Sequence, residues 1–86
     1  MTLTIYTKPA GCFACTKTKQ KFTEAAIAFR EVDLTTNPAA LEFVEDLGFA
    51  QAPVVLYERE GSEDCWSGLN PGKIDQVIAI ETSAAA

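Results

Sequence analysis

With 86 residues and a formal net charge of −5, the chain has room for one domain, and a domain of that size buries only ~60–65% of the surface its unfolded form exposes, so its stability margin is thin. Hydrophobic residues make up 48% of it, enough for a packed core without disulfide staples. The acidic balance argues against nucleic-acid binding, where affinity comes largely from Lys and Arg on phosphates; no window has the charge pattern and apolar length of a signal peptide or membrane span, so a cytoplasmic location is expected.

Thr2 to Thr7 alternates Leu3 and Ile5 with Thr4 and Tyr6 and is rich in β-branched residues, the pattern of a strand. Lys8-Pro9-Ala10-Gly11 breaks it. From Phe13 to about Ala26, Cys15, Thr18, Phe22, Ala25 and Ala26 fall on one helical stripe and Lys17, Gln20, Lys21 and Glu24 on the other. Phe29 to Leu34 reads as a second strand. Asn37-Pro38 supplies an N-cap and a first-turn proline for a second helix, with Leu41, Val44 and Leu47 turned inward and Gly48 at its end. Val54 to Tyr57 is a continuous apolar run suited to a central strand covered on both faces. A turn at Glu58 to Gly61 and a short strand near Glu63 to Trp66 complete a hairpin. Asn70-Pro71 repeats the helix-start signal, and Ile74, Val77 and Ile78 bury the last helix. Residues 1–81 are expected to form a single domain and residues 82–86 a short tail that frays.

The order β-α-β-α-β-β-α is a βαβ unit followed by a ββα unit. It predicts an α/β fold with a four-stranded mixed sheet and three helices on its two faces. The start of the first helix falls at the sheet's edge, beside the Pro53 turn.

Three cysteines in an unexported chain are poor material for a structural disulfide framework, because reducing compartments keep thiols free and an odd count leaves one unpaired. Cys12-Phe13-Ala14-Cys15 is a C-x-x-C opening a helix that follows a strand, the setting of a dithiol redox motif. Residues three apart on a helix share a face, so the sulfurs approach bonding distance at small backbone cost. Cys12 lies at the helix start, where free amides and the dipole favour a thiolate; Cys15 lies a turn further in, where burial disfavours one. Residues 1–23 add to this with Lys8, Lys17, Lys19 and Lys21 and no acid, whereas the remaining chain holds 3 bases against 12 acids. Lys17 and Lys21 read first as the solvated side of the helix. Cys12 is thus the candidate nucleophile, Cys15 the resolving thiol and Phe13 an exposed apolar contact. The competing reading, half a zinc or iron–sulfur site, lacks ligands: the chain has no histidine, and Cys65 makes only three sulfurs. No metal is assigned. An interaction domain without dithiol chemistry is the third alternative.

T-I-Y-T-K-P ahead of the cysteines, Q-A-P-V-V at Gln51 to Val55 and W-S-G-L-N-P at Trp66 to Pro71 resemble the thioredoxin superfamily over nearly the whole chain, and specifically the NrdH-type redoxins, which are glutaredoxin-like in sequence and thioredoxin-like in behaviour. The resemblance implies a thioredoxin fold and thiol–disulfide oxidoreductase activity on protein disulfides. It implies that Pro53 is a cis-proline facing the dithiol, with the Ala52 backbone pairing with bound substrate, and that Trp66, Ser67 and Gly68 shape the nearby surface. Trp66 is expected as either an exposed docking aromatic or a core-edge ring. The resemblance also implies a monomer with no bound cofactor, reduced from NADPH by flavoprotein thioredoxin reductase and donating electrons to class Ib ribonucleotide reductase. Glutathione-dependent glutaredoxins are the near alternative; they place glycines and an acid where this chain reads Ser67-Gly68-Leu69-Asn70-Pro71, although Lys8 remains available to a glutathione carboxylate. Two residues depart from the pattern. Gly11 is additional in the loop before Cys12, and Cys65 precedes the tryptophan, where a small half-buried hydrophobe is the simplest reading.

Overall fold

A computed structural model describes residues 1–8 and 10–85. Its elements are β1 (Thr2–Thr7), α1 (Phe13–Glu24), β2 (Arg30–Asp33), α2 (Pro38–Asp46), β3 (Val54–Arg59), β4 (Ser62–Ser67) and α3 (Pro71–Ala85). The sheet order is β2-β1-β3-β4, with β1 parallel to β2 and antiparallel to β3, and β3 antiparallel to β4. This is the four-stranded mixed sheet expected from the element order. The dithiol helix follows β1, a central strand, so its start lies at a strand end in mid-sheet rather than beside an edge strand.

Side-chain alternation along the central strands separates two cores. Leu3, Ile5, Val55, Tyr57 and Trp66 meet Phe22 of α1 and Ile74 and Val77 of α3 on one face. Val54 meets Leu34 and Val44, with Tyr6, Leu41 and Phe49 packed around them, under α2 on the other. The apolar run Val54 to Tyr57 is continuous because both faces of β3 are covered.

Several element ends differ from the sequence pattern. α1 stops at Glu24 because Ala26 turns left-handed (φ 58), with its N–H bonded to Thr23 O (3.0 Å) and that of Ile27 to Phe22 O (2.9 Å). That paired closure is a Schellman motif with alanine in the place usually held by glycine. α2 closes the same way through Gly48 (φ 87), and the chain then folds back so that Phe49 reaches the core. Leu47, expected inward, is consequently 40% exposed. The β3–β4 turn contracts to Glu60 and Gly61, both with positive φ, and the strands on either side lengthen to the Arg59–Ser62 pair; two left-handed residues give a turn whose twist matches the flanking strands. Residues 82–85, expected to fray, continue α3, since alanine and its neighbours carry a started helix on at little cost. Ala86 and Pro9 lie outside the described residues.

The outer half of α3 is tied to β3 by Glu81, which accepts hydrogen bonds from the Tyr57 hydroxyl and from Arg59 Nη1 (2.9 Å). Burial, then the adjacent Glu81 carboxylate, pushes the Tyr57 phenol up to about 12. An unfolded tyrosine releases its proton from about pH 10, so over that interval the folded chain holds a proton the unfolded one has lost. Stability should therefore decline as pH rises from about 10 to about 12. Urea unfolding on either side of that window should show the decline in the wild type and a markedly flatter profile in Tyr57→Phe; equal slopes would exclude this origin.

Candidate active site

The site starts from the strand-loop-helix passage β1 to α1. Cys12 is the N-cap of α1: its backbone is extended (φ −101, ψ 95), and its Sγ accepts the Cys15 N–H at 3.1 Å. The first turn of α1 holds no acid to oppose an anion there. The Cys12 carbonyl in turn accepts the Thr16 N–H (3.1 Å) and hydroxyl (3.2 Å), fixing the cap. Cys12 and Cys15 are joined in a disulfide with their Cα atoms 5.2 Å apart. Cys12 is half-buried and Cys15 is 1% exposed, facing the core with Thr18 and Phe22.

A link from the sheet holds the helix in place. The Thr7 hydroxyl, at the last residue of β1, donates to Glu31 Oε2 (2.8 Å), and Lys19 of α1 reaches the same oxygen (3.0 Å). These hydrogen bonds, that from Thr7 foremost, hold the Glu31 carboxyl below its ordinary pKa. The strand end and the helix that bracket the cysteine loop are thereby joined through one carboxylate. No local signal reveals this link, because Thr7 and Glu31 stand 24 residues apart.

The other wall is the turn before β3. The Ala52–Pro53 bond is cis and Pro53 is buried. Cys12 Sγ lies 3.9 Å from the Ala52 carbonyl oxygen, and among the described residues no backbone N–H occupies that oxygen. Gly68 closes the turn from β4, its N–H donating to Pro53 O at 2.8 Å. Its φ of 77 lies in the left-handed region that favours glycine, and a Cβ there would meet Gln51 Oε1 at an ordinary 3.5 Å, so the backbone conformation rather than space is what suits glycine. Gln51 enters the sequence pattern only as the first residue of Q-A-P-V-V, with no role assigned; its proximity to Gly68 has no local signature. Ser67 is half-buried opposite Val54.

The structure thus brings Cys12, Cys15, Ala52 and Pro53 together, with Gly68 behind them. Phe13, 74% exposed, stands beside the disulfide at the first position of α1. Lys8 is exposed and lines a cleft of ≈ 70 Å³ shared with Glu45, Gln51 and Ala52, on the α2 side of the proline turn. Trp66 is the exception. It is 5% exposed and packed into the core under α1 and α3, so it is the core ring of the two expected placements and not an exposed docking aromatic. Cys65 points to the opposite face, half-buried across from Leu56, and is a free thiol. Among the described residues no cluster of three or more His, Cys, Asp or Glu side chains is placed to hold a metal ion.

A strand-to-helix disulfide facing a cis-proline turn on a four-stranded mixed sheet defines a thiol–disulfide redoxin. The sequence pattern of the glutaredoxin family matches residues 3–61, and the chain belongs to that family of thiol–disulfide oxidoreductases. It is 30% identical to the glutaredoxin-like protein NrdH of Escherichia coli over 100% of both chains. It is 34% identical to the Gene 56 protein of Mycobacterium phage L5, over 95% of this chain and 77% of that one. The solved NrdH-redoxin of Escherichia coli, a glutaredoxin-like protein with a thioredoxin-like activity profile, superposes with a TM-score of 0.81 at 31% identity, over 90% of this chain and 95% of that one. Within the glutaredoxin family, this is a redoxin of the NrdH type.

Among the described residues no helix is long and apolar enough to cross a membrane.

Proposed function

We propose that the protein is a cytoplasmic, monomeric two-electron carrier that reduces protein disulfides, with no bound cofactor of its own. The observation that carries this is the unequal setting of the two sulfurs: Cys12 caps α1 beside the open Ala52 carbonyl, while Cys15 is buried one turn behind it. In the dithiol form the Cys12 thiolate, favoured by the helix terminus, attacks one sulfur of a substrate disulfide; the other sulfur leaves with the bonding pair and takes up a proton. The substrate segment lies extended against the Ala52 backbone, a short strand addition. Phe13, Lys8, Ser67 and Gly68 border that path. The Cys15 thiolate then attacks Cys12 Sγ, the Cys12–Cys15 bond forms, and the second substrate sulfur departs as thiolate.

The likeness to NrdH supports a particular pathway, in which thioredoxin reductase returns the disulfide to dithiol with electrons from NADPH and class Ib ribonucleotide reductase is the recipient. The start of α3 supports it further. Its first turn carries no acid, so the amino group of glutathione has no partner at the position glutaredoxins use. A glutathione-dependent reading has one observation in its favour: Lys8 lines the cleft beside Ala52, within the range of a tripeptide carboxylate. NADPH consumption with a disulfide substrate should be sustained by thioredoxin reductase and at background with glutathione plus glutathione reductase. The reverse coupling would replace the first reading by the second.

A further inference from the structure

Thr7 and Thr18 are both 0% exposed, yet only one has its hydroxyl satisfied. Thr7 donates to Glu31, whereas Thr18 Oγ1 has no hydrogen-bond partner among the described residues. An interior helical threonine ordinarily relieves its hydroxyl on the carbonyl three or four residues back; Thr18 does not. It stands three residues after Cys15 on the same buried stripe of α1, the spacing at which helical side chains meet. In the disulfide, Cys15 Sγ is bonded to Cys12 and carries no charge, and Thr18 Oγ1 makes no hydrogen bond to it. Opening the disulfide changes that. Cys15 must then become an anion where it is 1% exposed, out of reach of solvating water, and a neighbouring O–H is the donor that a buried anion requires.

We infer that the Thr18 hydroxyl donates a hydrogen bond to the Cys15 sulfur as that sulfur becomes the attacking thiolate in the second exchange step. Thr18 keeps its proton throughout. The proton lost by Cys15 goes to the departing substrate thiolate, the Cys12–Cys15 bond forms as the Cys12–substrate bond breaks, and the substrate leaves reduced. The inference rests on the reading of Cys12 and Cys15 as an exchange pair.

Reduced protein carrying Cys65→Ala, so that the free third thiol contributes nothing, is mixed rapidly with an equivalent of an aromatic disulfide that releases a coloured thiolate. This separates the steps: the first release reports Cys12, the second reports resolution by Cys15, and the Thr18 variants are compared in this background. Thr18→Val should slow the second release about tenfold or more, the worth of a hydrogen bond to a charged group, with the first release at its wild-type rate. Thr18→Ser should restore the second. Thr18→Ala reads the same phase should the valine variant not fold. A second release as fast in the valine or alanine variant as in the wild type overturns the inference, as does equal slowing of both phases, which marks a purely structural threonine. A wild-type protein with no second release overturns the exchange-pair reading itself.

Discussion

Cys12→Ser should leave no detectable disulfide-reductase turnover while leaving the fold in place. The two halves of that expectation come from the same position. Cys12 Sγ accepts the Cys15 N–H as the cap of α1, and serine is among the best residues for that task; a hydroxyl replacing the sulfur retains the cap but is not nucleophilic enough to exchange with a disulfide at neutral pH. Thermal unfolding of the reduced variant close to that of the reduced wild type would confine the loss to chemistry. Cys15→Ser should behave differently. Cys12 remains able to attack, but the resolving sulfur is gone, so the variant should accumulate covalent adducts with its substrates. With the free thiol Cys65 replaced by alanine in both, intact-mass measurement after exposure to a disulfide-bearing peptide should find one peptide attached per chain in Cys15→Ser and none in Cys12→Ser. Adducts on both variants, or turnover persisting in Cys12→Ser, would show that the nucleophile has been misassigned.

The parts of this site legible in the sequence are those set by local rules. A C-x-x-C after a β-branched strand fixes where the sulfurs sit, Asn37-Pro38 and Asn70-Pro71 mark two helix starts through side-chain caps that the structure contains (Ala40 N–H to Asn37 Oδ1, 3.0 Å; Lys73 N–H to Asn70 Oδ1, 3.1 Å), and alternation sorts the sheet faces. What was not legible depends on tertiary choice. Leu47 and Phe49 compete for one place under α2, and the left-handed turn at Gly48 awards it to Phe49. Trp66 had two plausible settings, and only the pleat of β4 against Val55 turns it into the core. The end of α1 at Glu24 rests on Ala26 adopting a conformation that alanine avoids, which composition argues against. The Thr7–Glu31–Lys19 link joins three elements whose adjacency exists only in the fold.

Phe22→Ala should cost the protein about 3–5 kcal/mol, the range for truncating a fully buried aromatic ring. Phe22 is 0% exposed and the largest wholly buried side chain; it meets Leu3, Ile5, Val55 and Ile74 across the interface of α1 with the sheet and α3, and its ring lies 6.5 Å from that of Phe29. A domain of this size has on the order of 4–13 kcal/mol in total, so the variant should melt roughly 15–30 °C lower. The Cys12–Cys15 disulfide offers no protection. It closes a span of only three residues, so it restricts the unfolded chain very little, and the loss should be nearly the same in the oxidised and reduced proteins. Urea unfolding of both redox forms should show the midpoint falling with the slope unchanged. A loss under about 1 kcal/mol would mean that the interior relaxes to fill the space left by the ring. A loss confined to one redox form would mean that Phe22 couples to the dithiol directly, rather than by holding the helix that carries it.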